Sequence, residues 1–516
     1  MKQLCVLSTL ALAFRLFVAE QPLIVERHPV RLPADAAQAA ADVLRHARVE
    51  AITYVSDGLR IKGYFALPNG AGQSPYVIAN RGGNSTLNVL TDEAAETLAL
   101  THARVIDGTG AAPVADQTVI IDAGRIRALG ATGAVAVPPR ARVLDLTGRT
   151  VMPGLVMLHE HMQWPAGDNM THSQAFSAPR LYLAYGVTTI RTAGTDHPYV
   201  ELNLKRQIDE GNAVGPEMFV TSPFLNGPGS HFLGDVIVRD AEDARRAVRY
   251  WAAQGVSSFK VYQQISKEAL AAVIDEAHRV GLPVTAHLRS VTCHDAVELG
   301  IDNLEHAFGP CTRRTADNLG DDPNGPRAQA FIRLLIDRKV VLTFTPVETN
   351  RPLTERELQL PNPTARDMYL SKQAAAREAN VPAGTLDPSL KRLDGRLTLA
   401  FARAGGQLVL GSDPGCCDVA RMAGVSNHDA MKLAVKTGFT PLEIIRMATV
   451  SGAIFLKIQQ RTGSIAVGKE ADLLVVRGDP SVTIDDIDNV EITFANGIAH
   501  DPQKLLAAVK GQVGWR

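Results

Sequence analysis

The sequence predicts an α/β fold, a (β/α)8 TIM barrel with smaller parts on both sides. Short apolar segments alternate with amphipathic ones through the middle of the chain, which is the pattern of parallel strands joined by helices. Eight strand–helix units in this length are typical of a closed barrel, whose site lies at the C-terminal strand ends. The predicted barrel strands are residues 155–162, 187–194, 217–224, 258–263, 283–289, 303–308, 341–347 and 408–414.

Two of the connecting helices have clear start signals. The apolar spacing predicts helices over residues 241–254 and 267–280, and Asp240 and Ser266 directly precede them. Aspartate and serine are preferred at this position because their side-chain oxygens accept hydrogen bonds from the first turn of a helix.

Composition limits the class of protein. A chain of 516 residues is too long for one simple core, so we expect two or three domains. A net charge of -1 and an aromatic content of 5% argue against nucleic acid or an acidic membrane as partner. We expect a small-molecule substrate, no nucleic acid, no membrane after removal of a signal segment, and a homo-oligomer. None of the five cysteines belongs to a CxxC motif, which argues against a zinc ribbon or a redox motif.

The first 19 residues resemble a secretory signal peptide. Lys2 supplies the positive start, an apolar run follows over residues 4–14, and Ala19 is a candidate cleavage position. The pattern predicts export, to a periplasm or outside the cell. Because Arg15 interrupts the apolar run, a mis-assigned start of the chain is the alternative.

Residues 20–98 form a predicted N-terminal extension of α+β type. Its pattern indicates a helix over 34–48 and strands over 50–56, 59–68 and 76–80. The last strand leads into Arg81-Gly-Gly-Asn, which resembles the early strands of prolyl-oligopeptidase-like α/β-hydrolases. No Gly-x-Ser-x-Gly occurs in the chain, so this fragment lacks the nucleophile of a serine hydrolase.

The remaining boundaries follow from changes in pattern. Residues 99–152 and 463–500 read as short strands with glycine turns, and we expect one β-sandwich built from both segments. The barrel spans residues 153–462, and residues 501–516 form a C-terminal helix and tail. Insertions at 309–327 and 351–393 are expected to shape the mouth of the pocket.

Ionisable side chains occur at the ends of the apolar strands, where a charge is costly unless it is paired or bound to a metal. His159 and His161 lie one residue apart, so they point to the same side of a strand. Taken singly, each residue has an ordinary alternative, such as a hydrogen-bonded core histidine or a lysine that extends to solvent. Six at the strand ends together indicate a metal site: His159, His161, Lys260, His287, His306 and Asp413.

Three motifs carry a family resemblance over residues 99–500. They are Pro153-Gly-Leu-Val-Met-Leu-His-Glu-His, Gly411-Ser-Asp-Pro-Gly and Gly468-Lys-Glu-Ala-Asp-Leu-Leu-Val-Val. In combination they resemble the amidohydrolase superfamily, and within it the imidazolonepropionase-like and prolidase-like metal hydrolases. A TIM barrel and a binuclear metal centre are what this resemblance implies.

The resemblance also implies the role of each ligand. His159, His161 and Asp413 hold one divalent ion, His287 and His306 hold the other, and a carboxylated Lys260 bridges them. Zinc suits imidazole and carboxylate ligands, with manganese, cobalt and nickel left open. Such ions lower the pKa of water so that hydroxide forms near neutral pH, with Asp413 as general acid and base.

Three further residues are candidates for substrate contacts. Tyr262 lies on the same side of its strand as Lys260, and the resemblance implies that it binds a substrate carboxylate; a core aromatic is an equal alternative. His231 resembles a family histidine that stabilises the oxyanion. Arg289 is a candidate for binding a carboxylate, although a structural ion pair is the favoured interpretation.

The predicted function is that of a metal-dependent amidohydrolase that cleaves a C–N amide bond in a dipeptide or an N-acyl amino acid. One alternative is a cyclic-amide or heterocycle hydrolase, or a deaminase, that uses the same site. Another is a binding or scaffold protein with a catalytically inactive barrel, which the intact ligand set argues against.

Overall fold

The computed structural model divides the chain into two compact units, residues 1–83 and 84–516, which are described separately. In the first unit the structure describes only strands, over residues 24–29, 47–56, 59–68 and 76–78. In the second unit it describes residues 97–514 except 168–169, 231, 233, 314–316, 321, 350, 382–384, 387–392 and 416–419.

The first unit contains an antiparallel sheet in the order β1-β2-β3-β4. Its strands are β1 (Ile24–Pro29), β2 (Ala47–Ser56), β3 (Leu59–Pro68) and β4 (Tyr76–Ile78). Strands β2 and β3 pair from Ser56 and Leu59 outward, as a hairpin with a two-residue turn requires. The predicted helix over 34–48 is wrong at its last two residues, which begin β2 because they pair with β3. The rest of that helix, residues 79–84 and the predicted signal segment lie outside the described residues.

The second unit contains most of the strands and all of the described helices. Its strands are β5 (Thr97–Val105), β6 (Val114–Asp122), β7 (Arg125–Ala131), β8 (Arg142–Asp145), β9 (Arg149–Pro153), β10 (Leu155–Glu160), β11 (Gln163–Gly167), β12 (Met170–Ser173), β13 (Val187–Thr192), β14 (Glu217–Phe219), β15 (Thr221–Asn226), β16 (Val236–Ile237), β17 (Ser258–Val261), β18 (Val284–Ala286), β19 (Asn303–Glu305), β20 (Val341–Phe344), β21 (Glu348–Thr349), β22 (Thr385–Leu386), β23 (Leu408–Leu410), β24 (Leu473–Arg477), β25 (Val490–Ala495) and β26 (Ile498–His500). Its α-helices are α1 (Ser177–Ala184), α2 (Pro198–Asp209), α3 (Ala241–Gln254), α4 (Lys267–Arg279), α5 (Cys293–Glu298), α6 (Gly309–Arg313), α7 (Pro326–Asp337), α8 (Pro363–Glu378), α9 (Leu393–Arg403), α10 (Val425–Lys436), α11 (Pro441–Arg446), α12 (Gly452–Phe455) and α13 (Pro502–Ala508).

Parallel strands that alternate with helices form the centre of this unit. Strands β10, β13 and β14 make one parallel sheet, and β15, β17, β18, β19, β20 and β23 follow one another in a second, with β16 at its edge. Only Val220 separates β14 from β15. After β23, the N–H groups of Ser412 and Asp413 donate to the carbonyl of His159 in β10, at 3.2 and 2.9 Å. The last parallel strand therefore ends beside the first, and the predicted α/β class is confirmed.

The strands and helices agree with the sequence pattern in position, and less well in length. Helix α3 has the predicted bounds, and Asp240 accepts a hydrogen bond from the N–H of Asp243 at 2.8 Å. Helix α4 ends at Arg279, one residue early, and Ser266 accepts from the N–H of Ala269 at 3.1 Å. Seven of the eight predicted strands end earlier than predicted, because the residues that follow turn into loops. The third is interrupted at Val220 and continues as β15 to Asn226, two residues beyond its predicted end.

The two β-rich flanks meet in one eight-stranded sheet. Its order is β26-β25-β24-β9-β5-β6-β7, with β8 paired to β5. Strands β24 and β9, which come from opposite ends of the chain, pair antiparallel with Val475 opposite Val151. Apolar side chains such as Leu100, Ile126 and Phe494 form a separate core on this sheet. The second layer that a sandwich requires remains a prediction.

Outside these sheets, the loops after the parallel strands carry further elements. The insertions expected at the pocket mouth contain α6, α8 and β22, and β22 pairs with β21, which lies just before the second insertion. Within the part of the chain that the structure describes, no helix combines the length and apolarity needed to cross a bilayer.

Candidate metal centre

Three predicted ligands meet at the end of the first parallel strand. Every residue of β10 is buried, and it places His159 one residue before its end, with His161 just beyond it. The Nε2 atoms of His159 and His161 lie 3.4 and 3.2 Å from Oδ1 of Asp413. Ligand atoms of all three side chains lie within 4.8 Å of one another, a spacing suited to one metal ion.

This meeting depends on a close approach of the two strands. Gly411 follows β23, and a Cβ atom added to it would lie 2.3 Å from Cβ of His159. Any larger residue would therefore push β23 away from β10. Asp413 itself has a φ of 49°, a left-handed conformation that few residues other than glycine adopt and that aspartate tolerates better than most.

His287 and His306 form a second pair beside the first group. Nε2 of His306 lies 3.1 Å from Nδ1 of His287, and the ring centroids of His306 and His159 are 4.6 Å apart. Nδ1 of His306 is 2.7 Å from the hydroxyl of Thr345, which holds its ring. The four imidazoles thus form a continuous cluster at neighbouring strand ends.

Lys260 is buried near the C-terminal end of β17, with 1% of its surface exposed. Its Nζ lies 3.9 Å from Oε1 of Glu305. Burial lowers the pKa of Lys260 to about 8, although the negative charge of Glu305 opposes this change. A larger fraction of the Lys260 side chain is therefore neutral than in an exposed lysine at the same pH. The neutral amine is the form that can react with carbon dioxide to give a carbamate.

Glu305 and Arg191 are site residues that the sequence analysis missed. Oε2 of Glu305 lies 2.7 Å from Nδ1 of His159, while Oε1 accepts a 2.6 Å hydrogen bond from Nη2 of Arg191. Burial raises the pKa of Glu305, but the charges of Arg191, Lys260 and His159 outweigh it and hold that pKa well below its usual value. The carboxylate leaves Nε2 of His159 free to face Asp413, which is how carboxylates commonly orient metal-binding histidines.

Glu160 is a third missed residue, and it holds the segment that carries Asp413. It is the last residue of β10, lies between His159 and His161 in the sequence, and is fully buried. Its carboxylate accepts hydrogen bonds from the N–H and Oγ of Ser412, at 3.0 and 2.9 Å, and from the amide of Asn427 at 2.9 Å. Burial raises the pKa of Glu160 to about 7. The signal that found the ligands, an ionisable residue in an apolar strand, also marks Glu160, Glu305 and Arg191.

The protonation states of Asp413, His161 and His306 fit a divalent cation. His159 differs, because burial lowers its pKa but the charge of Glu305 outweighs this effect and raises it. Burial raises the pKa of Asp413, but Arg421, whose Nη2 lies 3.5 Å from Oδ2, and His159 outweigh it and keep Asp413 ionised. Burial lowers the pKa of His161 and of His306, which favours neutral imidazoles. Neutral imidazole nitrogens and an ionised carboxylate are the forms that bind metals such as zinc.

The predicted substrate residues have different outcomes. The ring of Tyr262 lies 5.1 Å from that of His287 and 4.8 Å from that of Phe224, so it borders the second histidine pair. Arg289 is exposed, and no ion pair joins it to another described residue, so the ion pair favoured from sequence is not seen. His231 lies outside the described residues, as do Cys416 and Cys417.

Residues 150–500, more than half of the chain, match the model of the amidohydrolase family. The chain belongs to this family. A stretch of 129 residues in this amidohydrolase is 29% identical to imidazolonepropionase of Streptococcus pyogenes serotype M3 and covers 25% of each protein. The alignment thus spans about a quarter of that relative.

Solved structures resemble the amidohydrolase over most of its length. A molinate hydrolase has a TM-score of 0.63 and 21% identity, and the match covers 82% of this chain and 98% of that one. A Xaa-Pro dipeptidase with methionine in its active site has a TM-score of 0.59 and 20% identity, covering 78% and 100%. At these identities the likeness concerns the fold.

Proposed function

We propose that the chain is a metal-dependent hydrolase that cleaves a C–N amide bond of a small molecule. The observation that carries this proposal is the cluster at the parallel strand ends, in which His159, His161 and Asp413 share one metal-sized space beside the His287–His306 pair. Family membership supports the same reading. His159, His161 and Asp413 would hold one ion, and His287 and His306 a second, with a carboxylated Lys260 between them.

Divalent ions bound there would supply Lewis acidity toward the amide carbonyl and toward water. Asp413 accepts a proton from the attacking water and later donates it to the leaving nitrogen. The carbonyl carbon gains the oxygen of water, the C–N bond breaks, and the products are a carboxylic acid and an amine. Glu305 holds His159 in place, and Glu160 holds the backbone before Asp413.

The proposed substrates are dipeptides or N-acyl amino acids with a free carboxylate. Tyr262 and Arg289 are the proposed carboxylate contacts, with His231 as the oxyanion donor. Tyr262 is supported by its ring, which borders His287. Cyclic amides are the second candidate class, and the local similarity to imidazolonepropionase favours them.

A metal analysis followed by a substrate panel tests the proposal. The purified protein is analysed for bound metals, depleted with a chelator, and reloaded with zinc, manganese, cobalt or nickel. Each form is assayed against dipeptides, N-acyl amino acids and cyclic amides, with Asp413→Asn as the inactive control. Turnover of dipeptides that is lost on depletion supports the first candidate, and turnover of cyclic amides alone supports the second. A protein that binds no ion and turns over neither class contradicts both.

We also propose that the eight parallel strands close into a (β/α)8 barrel and that the protein is exported as a homo-oligomer. The hydrogen bonds from Ser412 and Asp413 to His159 support closure. A disulfide between Cys293 and Cys311 supports export, since disulfides persist mainly in oxidising compartments. Alkylation of the protein purified from its producing cell, with and without reduction, tests the second point.

A further inference from the structure

A disulfide joins the two loops that carry the second histidine pair. Cys293 begins α5, six residues after His287, and Cys311 lies in α6, five residues after His306. Both cysteines are buried, with 0% and 1% of their surfaces exposed. The bond therefore links the segment after β18 to the segment after β19, a few residues beyond their two candidate ligands.

The loop of His306 needs such support because its backbone is strained. His306 and Ala307 have φ angles of 62° and 49°, so two consecutive residues that are not glycine adopt the left-handed conformation. Residues with side chains persist in this conformation only where the surrounding structure holds them there. One backbone hydrogen bond, from the N–H of Ala307 to the carbonyl of Thr343 at 2.8 Å, holds the turn against β20.

The loop of His287 is the firmer of the two. Ser290 donates through its N–H to the carbonyl of Gln263, at 2.9 Å, and through its hydroxyl to the carbonyl of Ile265, at 2.6 Å. The start of α5 is capped by Thr292, which accepts from the N–H of Asp295 at 2.9 Å. A covalent bond from this anchored segment to α6 restrains the segment that leads out of the strained turn.

We propose that Cys293 and Cys311 are positioning residues for the second metal-binding pair: their disulfide holds the left-handed turn at His306, and so keeps its imidazole at binding distance from that of His287. The inference rests on the proposed function, because it concerns the metal that His287 and His306 would bind. The His159–His161–Asp413 group lies on other strands and does not depend on the bond.

Metal binding to a disulfide-free variant tests this inference. Metal-free wild type and the Cys293→Ser/Cys311→Ser double variant are titrated with zinc in equilibrium dialysis, which resolves a first and a second bound ion. We expect the variant to bind the first ion as the wild type does and the second about 10- to 100-fold more weakly, as when groups that orient metal ligands are removed. Alkylation of denatured wild type without reductant is expected to leave Cys293 and Cys311 unmodified.

A control variant separates this local effect from general loss of stability. Val248→Ala removes buried side-chain atoms from α3, away from both loops, and is expected to leave both binding steps unchanged. Equal binding of both ions by wild type and the double variant overturns the inference while the proposed function stands, and so does an equal weakening in Val248→Ala. Alkylation of both cysteines without reductant overturns it as well. A wild type that binds none of zinc, manganese, cobalt and nickel overturns the proposed function first.

Discussion

The carboxylate of Glu305 balances the buried charges of the candidate metal centre, and Glu305→Gln tests how much it contributes. Glu305 is 0% exposed and Arg191 1%, and they share a hydrogen bond of 2.6 Å. Glutamine keeps the size of the side chain and one acceptor oxygen, but it removes the charge. Arg191 is then left as a buried cation without its partner, and removing one member of a buried ion pair costs about 3–5 kcal/mol.

Urea unfolding of the metal-free protein near neutral pH, followed by tryptophan fluorescence, measures this loss. We expect the free energy of unfolding to fall by about 3–5 kcal/mol in Glu305→Gln. The matched control is Glu298→Gln, because Glu298 makes an exposed 2.8 Å ion pair with Arg338, with 44% and 48% of the side chains exposed. Exposed pairs contribute less than about 1 kcal/mol. Equal losses in the two variants would refute the argument from burial.

Acid pH provides a second check on the same variant. The folded-state pKa of Glu305 lies well below its usual value, so its stabilising contribution is present above the unfolded pKa of about 4.3. The contribution is lost as the pH falls through the folded-state pKa, because both states are then protonated. The difference between wild type and Glu305→Gln is therefore expected to shrink below about pH 4. A difference that stays constant down to the acid transition would contradict this assignment.

Four further substitutions have defined outcomes. Asp413→Asn is expected to lower kcat by about 10²- to 10⁴-fold through loss of proton transfer, measured with metal content in the same sample; unchanged kcat at equal metal content excludes the role. Burial raises the pKa of Glu160 to about 7, so stability is expected to fall as the pH rises from about 4.3 to 7, and Glu160→Gln to remove this slope in urea unfolding. Asp240→Ala is expected to lower the free energy of unfolding by about 1 kcal/mol through loss of the α3 cap, with Ser266→Ala as the parallel test on α4.

Much of the fold could be predicted because its signals are local. The alternation of apolar and amphipathic segments depends on neighbouring residues, so it located the parallel strands and both capped helices. The predicted ligands followed from the same reasoning, since an ionisable residue in an apolar strand needs a partner. The pattern overestimated the lengths of most strands. It also predicted helix at the start of β2, because the pairing of these residues with the far end of β3 lies outside the short window that the pattern covers.

The sequence by itself determined which residues lie at the strand ends, and therefore which ones can bind a metal ion. Only the tertiary structure decided their partners: Glu305 reaches His159 across 146 positions, and Glu160 reaches Asn427 across 267. It also paired Cys293 with Cys311, where the sequence showed only two isolated cysteines. The physical reason is that such contacts depend on which strands become neighbours and how each loop turns, and both are set by packing across the whole domain.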